Sequence, residues 1–292
     1  MIKTIDPKKV SQQELHAYLL SAVAPRPICF ASTVDKDGNV NLSPYSYFNI
    51  FSINPPIMIF SPNRSGRDGS MKHSHQNVLE VPEVVINIVN YPMVEQMSLA
   101  STSYDKGVNE FVKAGFTEVP SEKVKPPRVG EAPVAIECSV TEVIELADTP
   151  GAGNLILAKV ELVHINEAYL DKDAQLDTQK LDLVGRMGGN WYTRSSGTSL
   201  FEIPKPIRNQ GIGVDQLPEK VRNSTVLTGN NLGRLGNLEA LPTQESIDRI
   251  AALPKIKELL ESSMDTVKIH KLAQQWLNEN RTEEALALLC IQ

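Results

Sequence analysis

From Ser61 to Asn77 the chain reads Ser-Pro-Asn-Arg-Ser-Gly-Arg-Asp-Gly-Ser-Met-Lys-His-Ser-His-Gln-Asn. Arg64, Arg67 and Lys72 stand there against a single acid, Asp68, among two glycines and several hydroxyls, directly before a segment of helical pattern. Glycines let a backbone approach a ligand closely, hydroxyls and first-turn N–H groups donate hydrogen bonds, and cations offset negative charge. That is the chemistry of a phosphate cradle. A solvated basic loop has the same composition, and the local sequence leaves both readings open. The spacing is not that of a P-loop, because no Gly-x-x-x-x-Gly-Lys-Ser/Thr occurs.

A second segment, Asn41-Leu42-Ser43-Pro44-Tyr45-Ser46-Tyr47-Phe48-Asn49, mixes small polar and aromatic residues. It can offer hydrogen bonds to the polar edge of a ring while its aromatics wall the flat faces; ordinary edge-strand packing of Tyr45, Tyr47 and Phe48 is the alternative. His73 and His75 form a His-x-His beside Lys72, whose charge disfavours a metal, so no metal site is expected and a hydrogen-bonded surface role is. No Ser/His/Asp set or paired carboxylate stands out for hydrolysis. Cys29, Cys138 and Cys290 are odd in number and far apart, and read as reduced thiols, the first two in the core.

The elements that must position these residues are mainly strands. Ile28 to Val34 is apolar and is followed by Asp35-Lys36-Asp37-Gly38-Asn39, whose Asp-Gly signals a hairpin. Ile57 to Phe60 and Val84 to Val89 suit buried strands, and Val134 to Val140 and Ile156 to Leu162 alternate with period two. Ser70–Glu80 and Met93–Ser103 read as helices. Antiparallel strands with long connections predict a closed or partly closed barrel, a mainly β, α+β fold.

Composition changes near residue 205. Of the 16 aromatic residues only Trp276 lies beyond Lys205, and the tail carries 11 basic and 11 acidic residues, so the whole charge of −6 belongs to the first part. The prolines Pro204 and Pro206 restrict the backbone there. The split places a barrel domain at 1–204 and a helical C-terminal extension at 205–292. Ile269, Leu272, Ala273, Trp276 and Leu277 mark one helix face, and Thr243 and Thr282 read as N-caps. Such short apolar helices call for a covering surface, on the barrel or on a second subunit. The glycines of 211–215 and 229–233 lack a surrounding βαβ unit and read as caps and turns rather than a dinucleotide motif.

An excess of 35 acidic over 29 basic residues argues against binding to nucleic acid. No apolar run is long enough to cross a membrane, and Met1 to Asp6 holds no signal-type h-region, so a cytoplasmic protein is expected.

Taken in order, Pro25-Arg26-Pro27-Ile28, Ser32-Thr33 with Asp37-Gly38, the Asn41–Asn49 segment, Asn54-Pro55-Pro56, Phe60-Ser61, Lys72-His73-Ser74 with Asn77, and Val85-Ile86-Asn87 resemble the flavin reductase family. These are FMN-binding split-barrel proteins that include flavoredoxin-like electron carriers. The resemblance runs over about residues 20 to 200. It implies a six-stranded split barrel that forms a homodimer, with FMN in a groove near the dimer interface. Carried over by position, Ser32 and Thr33 lie beside the flavin, and Ser46, Tyr47, Phe48 and Asn49 contact the isoalloxazine edge and ribityl chain. Ser61, Asn63, Arg67, Lys72 and Ser74 hold the phosphate. Leu183 to Tyr192 resembles the family segment that closes near the flavin face, which makes Arg186, Gly189 and Tyr192 candidates for touching the flavin or an incoming nicotinamide; a Gly-rich turn is the alternative. Where relatives commonly read Lys-Asp-Thr, this chain has Lys72-His73-Ser74, and the lost carboxylate favours a dianion nearby.

The resemblance implies an FMN-dependent oxidoreductase in which no protein residue is the catalyst, because the flavin carries the chemistry. Hydride would come from NADH or NADPH, and electrons would pass to a second flavin, an electron-acceptor protein or a small acceptor. A flavoredoxin-like carrier that oxidises nicotinamides poorly is the alternative, as is a non-catalytic FMN-binding module with its tail as a docking surface.

Overall fold

Asp35 organises the turn from which the sheet grows. Its Oδ1 accepts hydrogen bonds from the backbone N–H groups of Asp37 and Asn39, and Gly38 takes φ +84°. Strand β1 (Cys29–Val34) therefore folds back antiparallel on β2 (Val40–Tyr45), with Val34 opposite Val40. The computed structural model describes residues 1–203, 210–262 and 265–291. Two compact units result, Met1–Phe201 and Glu202–Gln292. The boundary expected near Lys205 falls on residues outside those described.

In the first unit, helix α1 (Gln12–Ala22) precedes β1. After β2, Ser46 and Tyr47 lead into β3 (Phe48–Ile53), which pairs with β4 (Pro56–Phe60). Helix α2 (His73–Glu80), β5 (Glu83–Ile88), α3 (Val94–Leu99) and α4 (Glu110–Ala114) follow. A short pair, β6 (Glu118–Val119) and β7 (Arg128–Val129), precedes the long hairpin β8 (Val134–Glu145) and β9 (Asn154–Ile165). Helix α5 (Thr178–Leu181) and the hairpin β10 (Val184–Arg186) and β11 (Tyr192–Arg194) complete the unit.

The sheet runs β2-β1-β5-β8-β9-β4-β3, antiparallel throughout. Its two edges, β2 and β3, are consecutive in the chain and joined by two residues. Three Cα steps of about 3.8 Å cannot separate them by more than roughly 11 Å. The sheet must therefore curl until its edges meet at Ser46–Tyr47, where the barrel stays split because β2 and β3 are not ladder partners. Seven strands build it where six were expected. The Asn41–Asn49 segment holds parts of two of them and the turn between.

Strand β1 is buried on both faces, which is why it reads as one apolar run. Cys29 and Ala31 point into the barrel core with Met58, Phe60, Ile86, Cys138 and Ile156. Phe30 points the other way, into a layer of Leu42, Met93, Met97, Phe111 and Phe116, meeting the Phe116 ring edge-on at 5.3 Å. Each such large side chain contributes about 1.5–3 kcal/mol. The Cys29 and Cys138 thiols are core groups as expected, and burial pushes Cys138 up to about 12 and Cys29 well above its ordinary value. Helix α2 starts at His73 rather than Ser70, because Lys72 is still extended (φ −74°, ψ 150°), and only Val94–Leu99 of the 93–103 segment is α-helical.

The second unit comprises α6 (Glu219–Arg222), α7 (Gly229–Gly236), α8 (Gln244–Ala251), α9 (Pro254–Ser262), α10 (Thr266–Asn278) and α11 (Thr282–Leu289). These helices cover one another: Val221, Leu235, Ile250, Ile256, Trp276, Leu277 and the Ala285–Leu289 stretch form a core of their own. The surface that the tail was expected to borrow is thus supplied within it. Thr243 caps α8 by accepting from the Ser246 N–H at 3.2 Å. Thr282 is not a cap: Asn280 takes φ +63° and Arg281 occupies the N-cap position, so Thr282 is already helical. The glycines of 211–215 and 229–233 serve turns and the capped start of α7, and no helix among the described residues is long and apolar enough to cross a membrane.

Candidate functional site

The chain between β4 and α2 is sewn to the turn of the β8–β9 hairpin. The Ser61 hydroxyl accepts from the Asn154 N–H at 3.0 Å and donates to Asn63 Oδ1 at 3.3 Å. Asn63 Nδ2 donates to the Gly151 carbonyl at 3.3 Å, the Arg64 N–H to the Ala152 carbonyl at 2.8 Å, and Asn154 Nδ2 back to the Pro62 carbonyl at 2.7 Å. A Cβ at residue 153 would stand 3.1 Å from the Ser61 hydroxyl, so Gly153 lets the two segments close up. A tight turn follows, with the Ser65 N–H on the Ser70 carbonyl and Gly69 at φ +72°. Hydrogen bonds from Ser70 hold the Asp68 carboxyl well below the usual range, so this one acid of the loop is ionised and occupied locally.

The three cations of the loop divide into two kinds. Arg64 is 9% exposed, and its Nη2 donates to Glu145 Oε2 at 2.8 Å. It borders the groove described below, but its charge is offset by Glu145, which sets it apart from the other two cations. Glu145 Oε1 lies 3.3 Å from His75 Nε2, out of line for a hydrogen bond, and neither ring nitrogen of His75 has a hydrogen-bond partner. His75 is fully buried instead of at the surface, because α2 turns it inward. Burial lowers its pKa, with Glu145 opposing. Arg67 and Lys72, by contrast, have no carboxylate within ion-pair distance among the described residues.

Arg67 and Lys72 line a groove of about 470 Å³ together with Tyr45, Ser46, Tyr47, Ser61, Asn63 and the paired Arg64. Lys72 is the N-cap of α2 and makes no side-chain cap bond; its carbonyl accepts from the His75 and Gln76 N–H groups. A second chamber of about 220 Å³ shares Tyr45, Arg67 and Lys72 and ends on Asn41 and Glu110. Glu110 is 2% exposed; its Oε2 accepts from the Leu42 N–H at 2.8 Å, and burial raises its pKa above the ordinary value.

Six of the expected cofactor residues, Ser46, Tyr47, Ser61, Asn63, Arg67 and Lys72, therefore meet at one groove. Five do not border it. Ser32 faces the Phe30 layer, fully enclosed, with no partner for its hydroxyl among the described residues. The Thr33 hydroxyl accepts from Asn77 Nδ2 at 3.1 Å, and the Ser74 hydroxyl from Asn41 Nδ2 at 2.8 Å and the Tyr45 hydroxyl at 2.9 Å. None of the three presents surface to a ligand; Ser74 acts one step back, by holding Tyr45. Beyond the turn, Phe48 packs against the barrel core, and Asn49 is exposed with its Oδ1 accepting from the Ile50 N–H. Neither side chain lines the groove.

Arg186, Gly189 and Tyr192 lie together on the β10–β11 hairpin. The Arg186 guanidinium stands 4.7 Å over the Tyr192 ring and donates to the Trp191 carbonyl at 3.0 Å, and Gly189 supplies φ +56° at the turn. Arg26 ties this hairpin to the groove. Its Nη1 donates to the Leu20 and Val23 carbonyls at the end of α1 (2.5 and 2.6 Å), its Nη2 to the Met187 carbonyl (3.0 Å), and its Nε to the Ser46 hydroxyl (3.3 Å). On the same side, His16 Nε2 lies 3.0 Å from the Tyr47 hydroxyl. Sequence reasoning missed Arg26, although an arginine between two prolines at the mouth of an apolar strand was a visible signal. It also missed Glu110, whose position at a helix start looks ordinary.

Among the described residues no group of His, Cys, Asp and Glu could hold a metal ion. The fit to FMN is good: the groove is of cofactor size, and its lining combines two cations without a carboxylate partner, suited to a phosphate, with aromatic and hydroxyl groups suited to a ring.

Residues 21–180 match the family described as the flavin reductase like domain. An uncharacterized protein of Halalkalibacterium halodurans is 34% identical over 209 residues, covering 70% of this chain and 98% of that relative. Another from Aquifex aeolicus is 33% identical over 196 residues, covering 67% and 97%. Among solved structures, nitrilotriacetate monooxygenase component B from Bacillus cereus superposes with a TM-score of 0.65 at 27% identity, over 70% of this chain and 99% of that one. Flavoredoxin of Desulfovibrio vulgaris (Miyazaki F) shares the fold, with a TM-score of 0.54 at 21% identity over 70% and 96%.

Proposed function

The chain belongs to the flavin reductase like family, and from that premise we propose that it is a cytoplasmic FMN-dependent oxidoreductase drawing hydride from NADH or NADPH. Electrons pass on to a free flavin, an acceptor protein or a small acceptor. When bound, the flavin supplies the redox chemistry, and the protein contributes position and electrostatics. The observation that carries this reading is the pair Arg67 and Lys72, without carboxylate partners among the described residues of an acidic unit and lining a groove sized for FMN.

In this reading Arg67 and Lys72 neutralise the phosphate, with Ser61 and Asn63 bordering it. Ser46 and Tyr47 flank the ring, Tyr47 steadied by His16 and Ser46 by Arg26. Arg186, Gly189 and Tyr192 form the side from which the nicotinamide approaches. Exposed apolar residues of edge strand β3, with Ile53 at 89%, support a homodimer formed through this edge.

Absorption spectra of the purified chain with FMN, before and after anaerobic NADH or NADPH, test the proposal. Bleaching followed by turnover with free flavin is expected. A bound flavin that neither nicotinamide reduces marks an electron carrier instead. Failure to bind FMN at all would falsify both.

A further inference from the structure

Arg26 is a buried cation without an anion. It is 7% exposed, and its four hydrogen bonds go to three backbone carbonyls and one serine hydroxyl. Among the described residues no carboxylate lies within ion-pair distance of it. The other buried arginine of the unit, Arg64, is neutralised by Glu145. Burying an unpaired charge is costly, and neutral donors could tie the same segments together without that cost. Burial and the nearby Arg186 both depress the Arg26 pKa, with Tyr47 opposing, which registers the same unfavourable placement. The charge sits directly behind Ser46, a wall of the groove.

Resting on the flavin reading of that groove, we propose that Arg26 is a positioning residue whose charge also favours the reduced, singly anionic flavin over the neutral oxidised one. The balance is simple. A reduced nicotinamide gives up a hydride and becomes its oxidised cation. The flavin ring gains two electrons and one proton at N5, and carries one negative charge at N1 as long as no second proton arrives from solvent. A fixed positive charge in a water-poor wall stabilises that anion and leaves the neutral ring almost unaffected.

The test uses the full-length chain loaded with FMN, with Arg26→Gln and Arg26→Lys beside it. Affinity for oxidised FMN is read by fluorescence titration, and the midpoint potential by reduction against reference dyes. Arg26→Gln, which keeps donors but loses the charge, is expected to lower the preference for reduced over oxidised FMN roughly tenfold. For a two-electron couple that is a fall of about 30 mV. Arg26→Lys, which keeps the charge, should stay near the wild-type potential. An unchanged potential in Arg26→Gln, with both FMN forms bound more weakly to the same degree, would show a structural clamp only and overturn the inference. Should Arg26→Gln not fold, the wild-type protein decides: one proton taken up per two electrons at a pH acidic enough for free reduced FMN to hold its second proton supports the inference, and two at that pH overturn it. Wild-type protein that binds no FMN would instead overturn the reading of the groove, and the inference with it.

Discussion

The Arg64 guanidinium and the Glu145 carboxylate, at opposite ends of the loop–barrel junction, meet at 2.8 Å and cancel one another. Three cations crowd the Ser61–Asn77 stretch in sequence and all three border the groove, yet among the described residues only Arg67 and Lys72 do so without a carboxylate partner. Local charge is therefore a poor count of available charge once a loop is folded against an acid from elsewhere.

This division predicts how the cations differ in binding. Arg67→Ala or Lys72→Ala removes one charge-assisted contact of about 1.5–3 kcal/mol, and so weakens FMN roughly 10- to 100-fold. Riboflavin, which lacks the phosphate, should bind both variants about as well as wild type. Calorimetric titration with the two ligands checks this, and an equal loss for both would place the phosphate elsewhere.

Breaking the pair tests the loop's anchor. Glu145→Ala strands a guanidinium that is nine-tenths buried, although Glu145 itself is 38% exposed and water can partly relieve the loss. We expect a destabilisation of about 1–3 kcal/mol, below the range for fully buried pairs. In urea denaturation, the double variant Arg64→Met/Glu145→Gln should recover part of it. No recovery would mean that Glu145 matters for something other than Arg64.

Glu110 gives a pH signature of definite sign. Its folded pKa is raised above the ordinary 4.5, so the folded state holds more protons than the unfolded state between the two values. The contribution is full below pH 4.5 and is lost as pH rises through the folded pKa. Glu110→Gln keeps an acceptor for the Leu42 N–H and removes the titration, so its stability relative to wild type should improve over that window. Parallel stability–pH curves for the two proteins would contradict the assignment.

Edge strand β3 makes the dimer testable. Ile53 is 89% exposed, so Ile53→Glu should change the stability of a single chain by no more than about 0.5 kcal/mol. A charge there would weaken a dimer formed through β3 by about tenfold or more. Sedimentation across a dilution series reads this directly. Wild-type protein that sediments as a monomer at every concentration would remove β3 from consideration as an interface.

The strands were legible because each carries its own signal. Period-two alternation marks β8 and β9, and Asp35 to Asn39 spells the β1–β2 turn. The sheet order was not, because whether β1 lies between β2 and β5 depends on pairings far apart in the chain. The cationic part of the groove was legible in Arg67 and Lys72. The sites of Ser32, Thr33, Phe48, Asn49 and Ser74 were not, because side-chain direction in a strand or first helical turn depends on register, and one residue of slip reverses it.

By itself the sequence determined the strand-rich first part, the helical tail and a local basic loop. Those are properties of composition and short-range pattern. Only the tertiary structure decided which groups are free to act. It neutralised Arg64 with a glutamate 81 residues away, enclosed three of the expected hydroxyls, and placed Arg26 against Ser46 without an acid. Charge and accessibility depend on which distant segments the curled sheet brings together, and no local pattern records that.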